Sequence, residues 1–334
     1  MRARVQRLAS RVWVRRGLAA SISLVAMALV LRGVDPGEAV SIMAQINWLL
    51  IALAMSLKVL GWWLIAVRWQ RIFAPRPTPR TAHFFWALLV TQLANTILPG
   101  KVGILARILL IGGSMGRTAT LCTVVLEKAL EALTVLVAFL LVMPFLGNME
   151  WLGAQGLVSA ALLVSILVLT FLAVKQRQNL LRWCQRRQCG PMLVAPLVTA
   201  LDTLEVTGRP WALLELLGWS ALIWVVTTLQ AYVLLVAVGI VVPWTVVWVL
   251  NVAVQFGMRV PSLPANIGVF HYAAVLVLTM YGVSENAAVS YAFVLHVLTF
   301  LVPSLIALGY LWRTGYDWRS WRQIDRANIH GLGE

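Results

Sequence analysis

The chain has 334 residues, of which 61% are hydrophobic and 12% charged, and its mean hydropathy of +0.86 excludes a soluble globular fold. It reads as an all-α polytopic membrane protein, a single integral membrane domain over 1–334. The formal charge of +15 does not point to nucleic acid, because the basic residues sit at the ends of apolar runs and not in one water-facing patch.

In chain order, Arg2, Arg4, Arg7, Arg11, Arg15 and Arg16 precede a first apolar run at about 17–34. The basic stretch is too long for a signal peptide and no small-residue cleavage site follows, so the run is expected to stay as an anchor. A second run, about 46–67, ends at Trp62, Trp63 and Trp69 and then Arg68, Arg71, Arg76 and Arg80, with Pro75, Pro77 and Pro79 stiffening the loop. The next run, about 82–97, breaks at Leu98-Pro99-Gly100 before a shorter piece at 104–112. At about 1.5 Å per residue neither piece comfortably spans a core of about 30 Å. Continuous runs follow at about 118–146 and 152–174, then a basic loop over 175–209 that reads as surface helix. After it come 211–238, 243–259, a break at Pro261-Ser262-Leu263-Pro264, a short piece at 267–282, and a last run at 287–311.

The two breaks match each other. Leu98-Pro99-Gly100-Lys101-Val102-Gly103 aligns without gaps on Leu263-Pro264-Ala265-Asn266-Ile267-Gly268. This predicts duplicated halves, a first repeat region over 17–146 and a second over 152–311. If each broken segment leaves on the side it entered, the basic loops all fall on one face and Asp35, Glu38, Glu150 and Glu285 on the other. The expected architecture is therefore six full crossings and two re-entrant hairpins in an inverted repeat, with both termini cytoplasmic.

Unwound backbone in lipid persists only where protein or water satisfies it, so the paired breaks predict a polar spot near the midplane. A helix starting after each break aims free N–H groups at that spot, which favours an anion. Lys101 and Arg107 on the first hairpin and Arg259 before the second break are candidate phosphate ligands, with Pro99, Gly100, Gly103, Pro264, Asn266 and Gly268 shaping the backbone. Snorkelling to the interface is the competing reading for Lys101 and Arg107. Glu127, Lys128 and Glu131 lie inside one apolar run; Lys128 can pair with Glu131, leaving Glu127 for a hairpin arginine or a proton. A structural ion cluster is the alternative. Lys58 and Glu215 are weaker candidates, while Gln92, Asn95 and Gln255 either line the cavity or bond between helices. His271 and His296 read as hydrogen-bonded packing histidines, with a proton-linked role as the other reading. Three cysteines and four scattered histidines give neither a disulfide framework nor a metal set, so no cofactor is expected.

The ordered set Leu98-Pro99-Gly100-Lys101-Val102-Gly103-x-x-x-Arg107, then Glu127-Lys128-x-x-Glu131, then Pro261 to Phe270 followed by Tyr281-Gly282-Val283 resembles the lysylphosphatidylglycerol synthase transmembrane-region family, also called flippase-like or UPF0104. The resemblance covers nearly the whole chain. It implies the flippase half of proteins that make and flip aminoacylated phospholipid, or an association with glycosyltransferase or hopanoid-pathway proteins. The soluble aminoacyl-transfer domain is not expected, since about 20 residues follow the last run. Where the family pattern has a first-hairpin Glu, a glycine pair and a second-hairpin Glu, this chain has Ile104, Ala265 with Asn266, and His271. The core is thereby more cationic, which permits a different head group.

The expected function is movement of a phosphate-bearing lipid, a phospholipid or polyprenyl-phosphate conjugate, between leaflets of a bacterial inner membrane. A membrane-embedded lipid transferase and a membrane partner of a glycosyltransferase are the alternatives. No nucleophile–base pair or nucleotide loop is present, which favours transport over catalysis. The partner is an anionic lipid, with a lipid-modifying enzyme or a glycosyltransferase and self-association left open.

Overall fold

A computed structural model of the chain describes residues 20–74, 76–98, 103–143, 210–260 and 262–314, with isolated positions elsewhere. The expected span at 152–174, the surface helix at 175–209, and Pro99, Gly100 and Lys101 lie outside the described residues. All regular structure among the described residues is helical. Helix α1 (Ala20–Leu31) meets α2 (Pro36–Ala44) at an 81° bend. In the sequence this stretch is only a connection between two apolar runs. Asp35 explains the extra helix: its carboxylate accepts from the Gly37 and Glu38 N–H groups, and Pro36 occupies the first turn.

Helix α3 (Trp48–Ile72) is capped by Asn47, whose side chain accepts from Leu49 and Leu50. It runs antiparallel to α7 (Pro210–Ala237): Asn47 N–H donates to the Ala237 carbonyl at one end, and Arg71 pairs with Glu215 at the other. Between them α4 (Thr81–Ile97) and α5 (Gly103–Met115) form a hairpin, and α6 (Arg117–Val142) follows after Gly116. Gly103 fits only because it lacks a side chain, since a Cβ would stand 2.5 Å from the Thr91 carbonyl oxygen. The Asn95 side chain accepts from the Gly103 N–H at 2.9 Å and so caps the returning helix.

Helix α8 (Trp244–Gly257) and α9 (Val269–Met280) fold back in the same way, with a 3₁₀ turn at Pro264–Asn266 between them. A Cβ on Gly257 would sit 3.0 Å from that of Ala273, the mark of close backbone approach. The chain ends its described part with α10 (Glu285–His296), a π-turn at Val297–Leu301 and α11 (Val302–Arg313), one long apolar span. By length and composition three helices among the described residues qualify as membrane spans, Trp48–Ile72, Trp211–Ala237 and Glu285–Arg313, or four if the bent α1–α2 pair counts as one. Helix α6 has 26 residues, the length of a span, and carries Glu127, Lys128 and Glu131.

The outer surface is apolar: Leu24, Leu49, Leu53, Val125, Leu140, Leu222, Val225, Leu305 and Leu308 are exposed. Polar side chains such as Arg68, Arg107, Thr123, Glu127, Ser220 and Gln230 are buried instead. That inverted distribution is what lipid selects. Exposed tryptophans ring both ends, Trp48 and Trp244 at one and Trp211 and Trp312 at the other. The Trp211 end also carries Arg71, Arg76, Arg80, Arg117 and Arg313, whereas the Trp48 end carries Asp35, Glu38 and Glu285 with Arg32.

A buried charge cluster as candidate functional site

Glu127 lies about 15 Å along α6 from its start, deep in the apolar bundle. It is 2% exposed, and Arg107 Nη1 of α5 donates to its Oε2 at 2.5 Å. The sequence allows this because Gly103 lets α5 settle against α4, bringing the Arg107 turn onto α6. Trp69 of α3 fixes the guanidinium from a third side: the ring face is 4.9 Å from Arg107 Cζ, and its Nε1 donates to Thr123 of α6 at 3.0 Å. Phe84 of α4 packs edge-on against the same indole. Next to Glu127, Lys128 donates at 2.5 Å to Glu131 one turn on, in a pair whose side chains are 54% and 39% exposed.

Arg68 adjoins the Arg107–Glu127 pair through the next residue, Trp69, whose ring faces Arg107. Arg259 follows α8, is exposed, and lies over the Phe256 ring at 5.4 Å. The sequence places Arg68 in the basic stretch that closes a span, yet it is 4% exposed and its Nη1 donates to Ser220 of α7 at 2.9 Å. A hint was present, since Arg68 precedes Trp69 inside the aromatic end of the apolar run.

The second break makes a separate cluster. Ala265 and Asn266 both take left-handed backbone, φ 57° and 54°, although neither is glycine. The turn is held by the Ala265 carbonyl accepting from His296 Nε2 at 2.9 Å, by Ser262 donating to Asn266, and by the Leu263 N–H donating to Ser23 of α1. Pro264–Asn266 packs on α4, so the second break touches the first hairpin. His271 differs from its expected role as a hydrogen-bonded packing residue. It is 2% exposed, neither ring nitrogen has a partner, and its ring lies against His296, Phe270 and Phe293.

Arg107 and Glu127 are thus joined in one buried pair and Lys128 and Glu131 in a second, more exposed one on α6; Arg259 stands exposed after α8, and Pro264, Asn266, Gly268 and His271 gather at the second break. Gly103 belongs to the packing of the first hairpin. Glu215 pairs with Arg71 at an exposed end, and Lys58 donates to Thr299 of the π-turn at 3.3 Å. Among the described residues no three His, Cys, Asp or Glu side chains converge as metal ligands would.

An apolar helical bundle with two buried arginines and a buried glutamate in its interior is an integral membrane protein with a charged core. The chain belongs to the lysylphosphatidylglycerol synthase transmembrane-region family, whose family model matches residues 17–307. No curated protein and no solved structure matches it. The family points to a lipid-related role in the membrane.

Proposed function

We propose that the protein is a flippase-like transporter that carries an anionic, phosphate-bearing lipid between the leaflets of a bacterial inner membrane. The carrying observation is the pair of arginines, Arg68 and Arg107, buried inside an apolar bundle, with Arg107 on the first broken hairpin and Arg259 beside the second at an exposed position. Guanidinium groups bind phosphate bidentately, and an apolar surround strengthens that bond. The lipid tails stay in the bilayer while the head group passes the cluster.

The proposed architecture has six crossings and two re-entrant hairpins, α4–α5 and α8–α9, related as an inverted repeat. In support, the aligned motifs begin the returning helices near Gly103 and Gly268, and those helices end at aligned residues, Met115 and Met280. The basic end of the bundle is cytoplasmic by the positive-inside rule, with both termini there. Lys101, Pro99 and Gly100 would meet the head group at the first tip. Alternating access follows from rocking one repeat against the other, with Glu127, Glu131 or His271 taking the coupling proton.

The test is purified protein in proteoliposomes with labelled phosphatidylglycerol and leaflet-specific quenching. Movement between leaflets with unchanged lipid mass is expected, and Arg259→Ala should slow it. A changed lipid mass would replace transport with transferase chemistry. Absence of movement would remove the transport reading.

A further inference from the structure

Lys58 stands where a membrane helix least tolerates a cation. It lies about 15 Å along α3 from Trp48 and about 21 Å from Ile72, near the middle of the span. The side chain is half-buried, and among the described residues no carboxylate stands within 4.0 Å of it. Its hydrogen-bond partner is a neutral hydroxyl, Thr299 Oγ1 at 3.3 Å. An ammonium without a counter-charge at that depth costs stability, and such residues persist where a substrate or ion path needs them.

The local backbone is shaped around this lysine. Pro303 has no N–H to give the carbonyl four residues back, and the helix widens over Val297–Leu301, where the Val302 N–H donates to the Val297 carbonyl. The widened turn carries Thr299 to Lys58. One turn further along α3, on the same face, Trp62 holds a buried Nε1–H that has no partner. Lys58 and Trp62 line one crevice with Phe85 and Leu89 of α4 and Pro303 and Ile306 of α11. The crevice holds about 10 Å³, room for one oxygen-sized atom. Water there would satisfy the indole and leave the ammonium uncompensated, whereas an anionic oxygen supplies acceptor and charge together.

We propose that this crevice is a mid-membrane station for the transported lipid, where one phosphate oxygen of an anionic head group accepts from Lys58 and Trp62 while the rest of the lipid stays outside against α3 and α11. The station rests on the transport reading above, since a head group reaches this depth only in transit. It is a site apart from Arg68 and Arg107, which are bonded to α7 and α6.

The experiment compares the wild type with Lys58→Met, Lys58→Arg and Trp62→Phe. Two readouts are taken: movement of labelled phosphatidylglycerol in proteoliposomes, and the thermal midpoint in detergent with and without short-chain phosphatidylglycerol. Lys58→Met should slow movement at least about tenfold, the factor one charge-assisted hydrogen bond supplies, and Lys58→Arg should keep most of the rate. Without lipid, the midpoint of Lys58→Met should be no lower than that of the wild type, because an uncompensated charge has been removed; a merely structural lysine would lower it. Short-chain phosphatidylglycerol should raise the wild-type midpoint, and raise it less in Lys58→Met and Trp62→Phe. If the wild type moves the lipid and Lys58→Met moves it as fast, the station falls and transport stands. If the wild type moves no lipid while the midpoint shift still depends on Lys58 and Trp62, transport falls and the crevice remains an anionic-lipid site. No movement and no shift that depends on Lys58 remove both.

Discussion

Gly268 shows how little freedom the second break has. Its φ is +88°, and a Cβ there would stand 2.2 Å from the Ser23 carbonyl oxygen of α1. Gly239 has a similar φ of +83° but open space around it. Gly268→Ala therefore combines left-handed strain of about 1–3 kcal/mol with a backbone clash, while Gly239→Ala carries the strain alone. The thermal midpoint of the solubilised protein should fall further for Gly268→Ala; equal falls would mean that α1 does not press on the break. Glycine at this position was legible in the sequence because the motif repeats. Arg68 was not, because hydropathy treats an arginine at the end of an apolar run as an interfacial stop, and its partner Ser220 lies 152 residues away. The i to i+3 spacing of Lys128 and Glu131 is local and could be read directly, whereas the Arg107–Glu127 pair needed the hairpin to fold first.

At the level of helices, apolar run length located α3, α7 and the α10–α11 span, and Pro/Gly punctuation located both hairpins. Helix α2 escaped because its nine residues are too few to register as a run, and its existence depends on the Asp35 cap. Nor does composition announce the π-turn at Val297–Leu301, which precedes Pro303 and offers Thr299 to Lys58. The placement of helix ends yields a topological prediction. Arg80 precedes α4 at the basic end, and Glu285 opens α10 at the acidic end. Single cysteines at these positions should react with an impermeant maleimide from opposite sides, Arg80→Cys only after the cytoplasmic face is opened and Glu285→Cys in intact cells. Labelling of both from one side would break the two-ended arrangement on which the proposed inverted repeat depends.

For the whole molecule the question is whether the hairpins move against the remaining helices. Two apolar clusters organise the described residues: one joins the end of α3, the first hairpin, the first half of α6, the start of α7 and the end of α11, and the other joins the second hairpin, the rest of α7, α10 and the second half of α6. Helices α3, α6 and α7 are shared, with Trp69, Leu126 and Leu216 in one cluster and Ala54, Val135 and Leu234 in the other, so these three form the frame between two bodies. Glu127 and Arg68 stand on that frame, where relative motion would expose them to one leaflet and then the other. The first hairpin meets α11 at Thr96 and Ser304, whose hydroxyls are 3.3 Å apart. Thr96→Cys with Ser304→Cys, in a chain whose native Cys122, Cys184 and Cys189 are replaced by serine, places two thiols across that seam. If the seam opens during transport, oxidation should stop lipid movement and reductant should restore it, with each single cysteine variant unaffected by either treatment. Full cross-linking with an unchanged rate would mean that the first hairpin and α11 travel as one body, and the moving boundary would then have to lie at the second hairpin, where Pro264–Asn266 rests on α4.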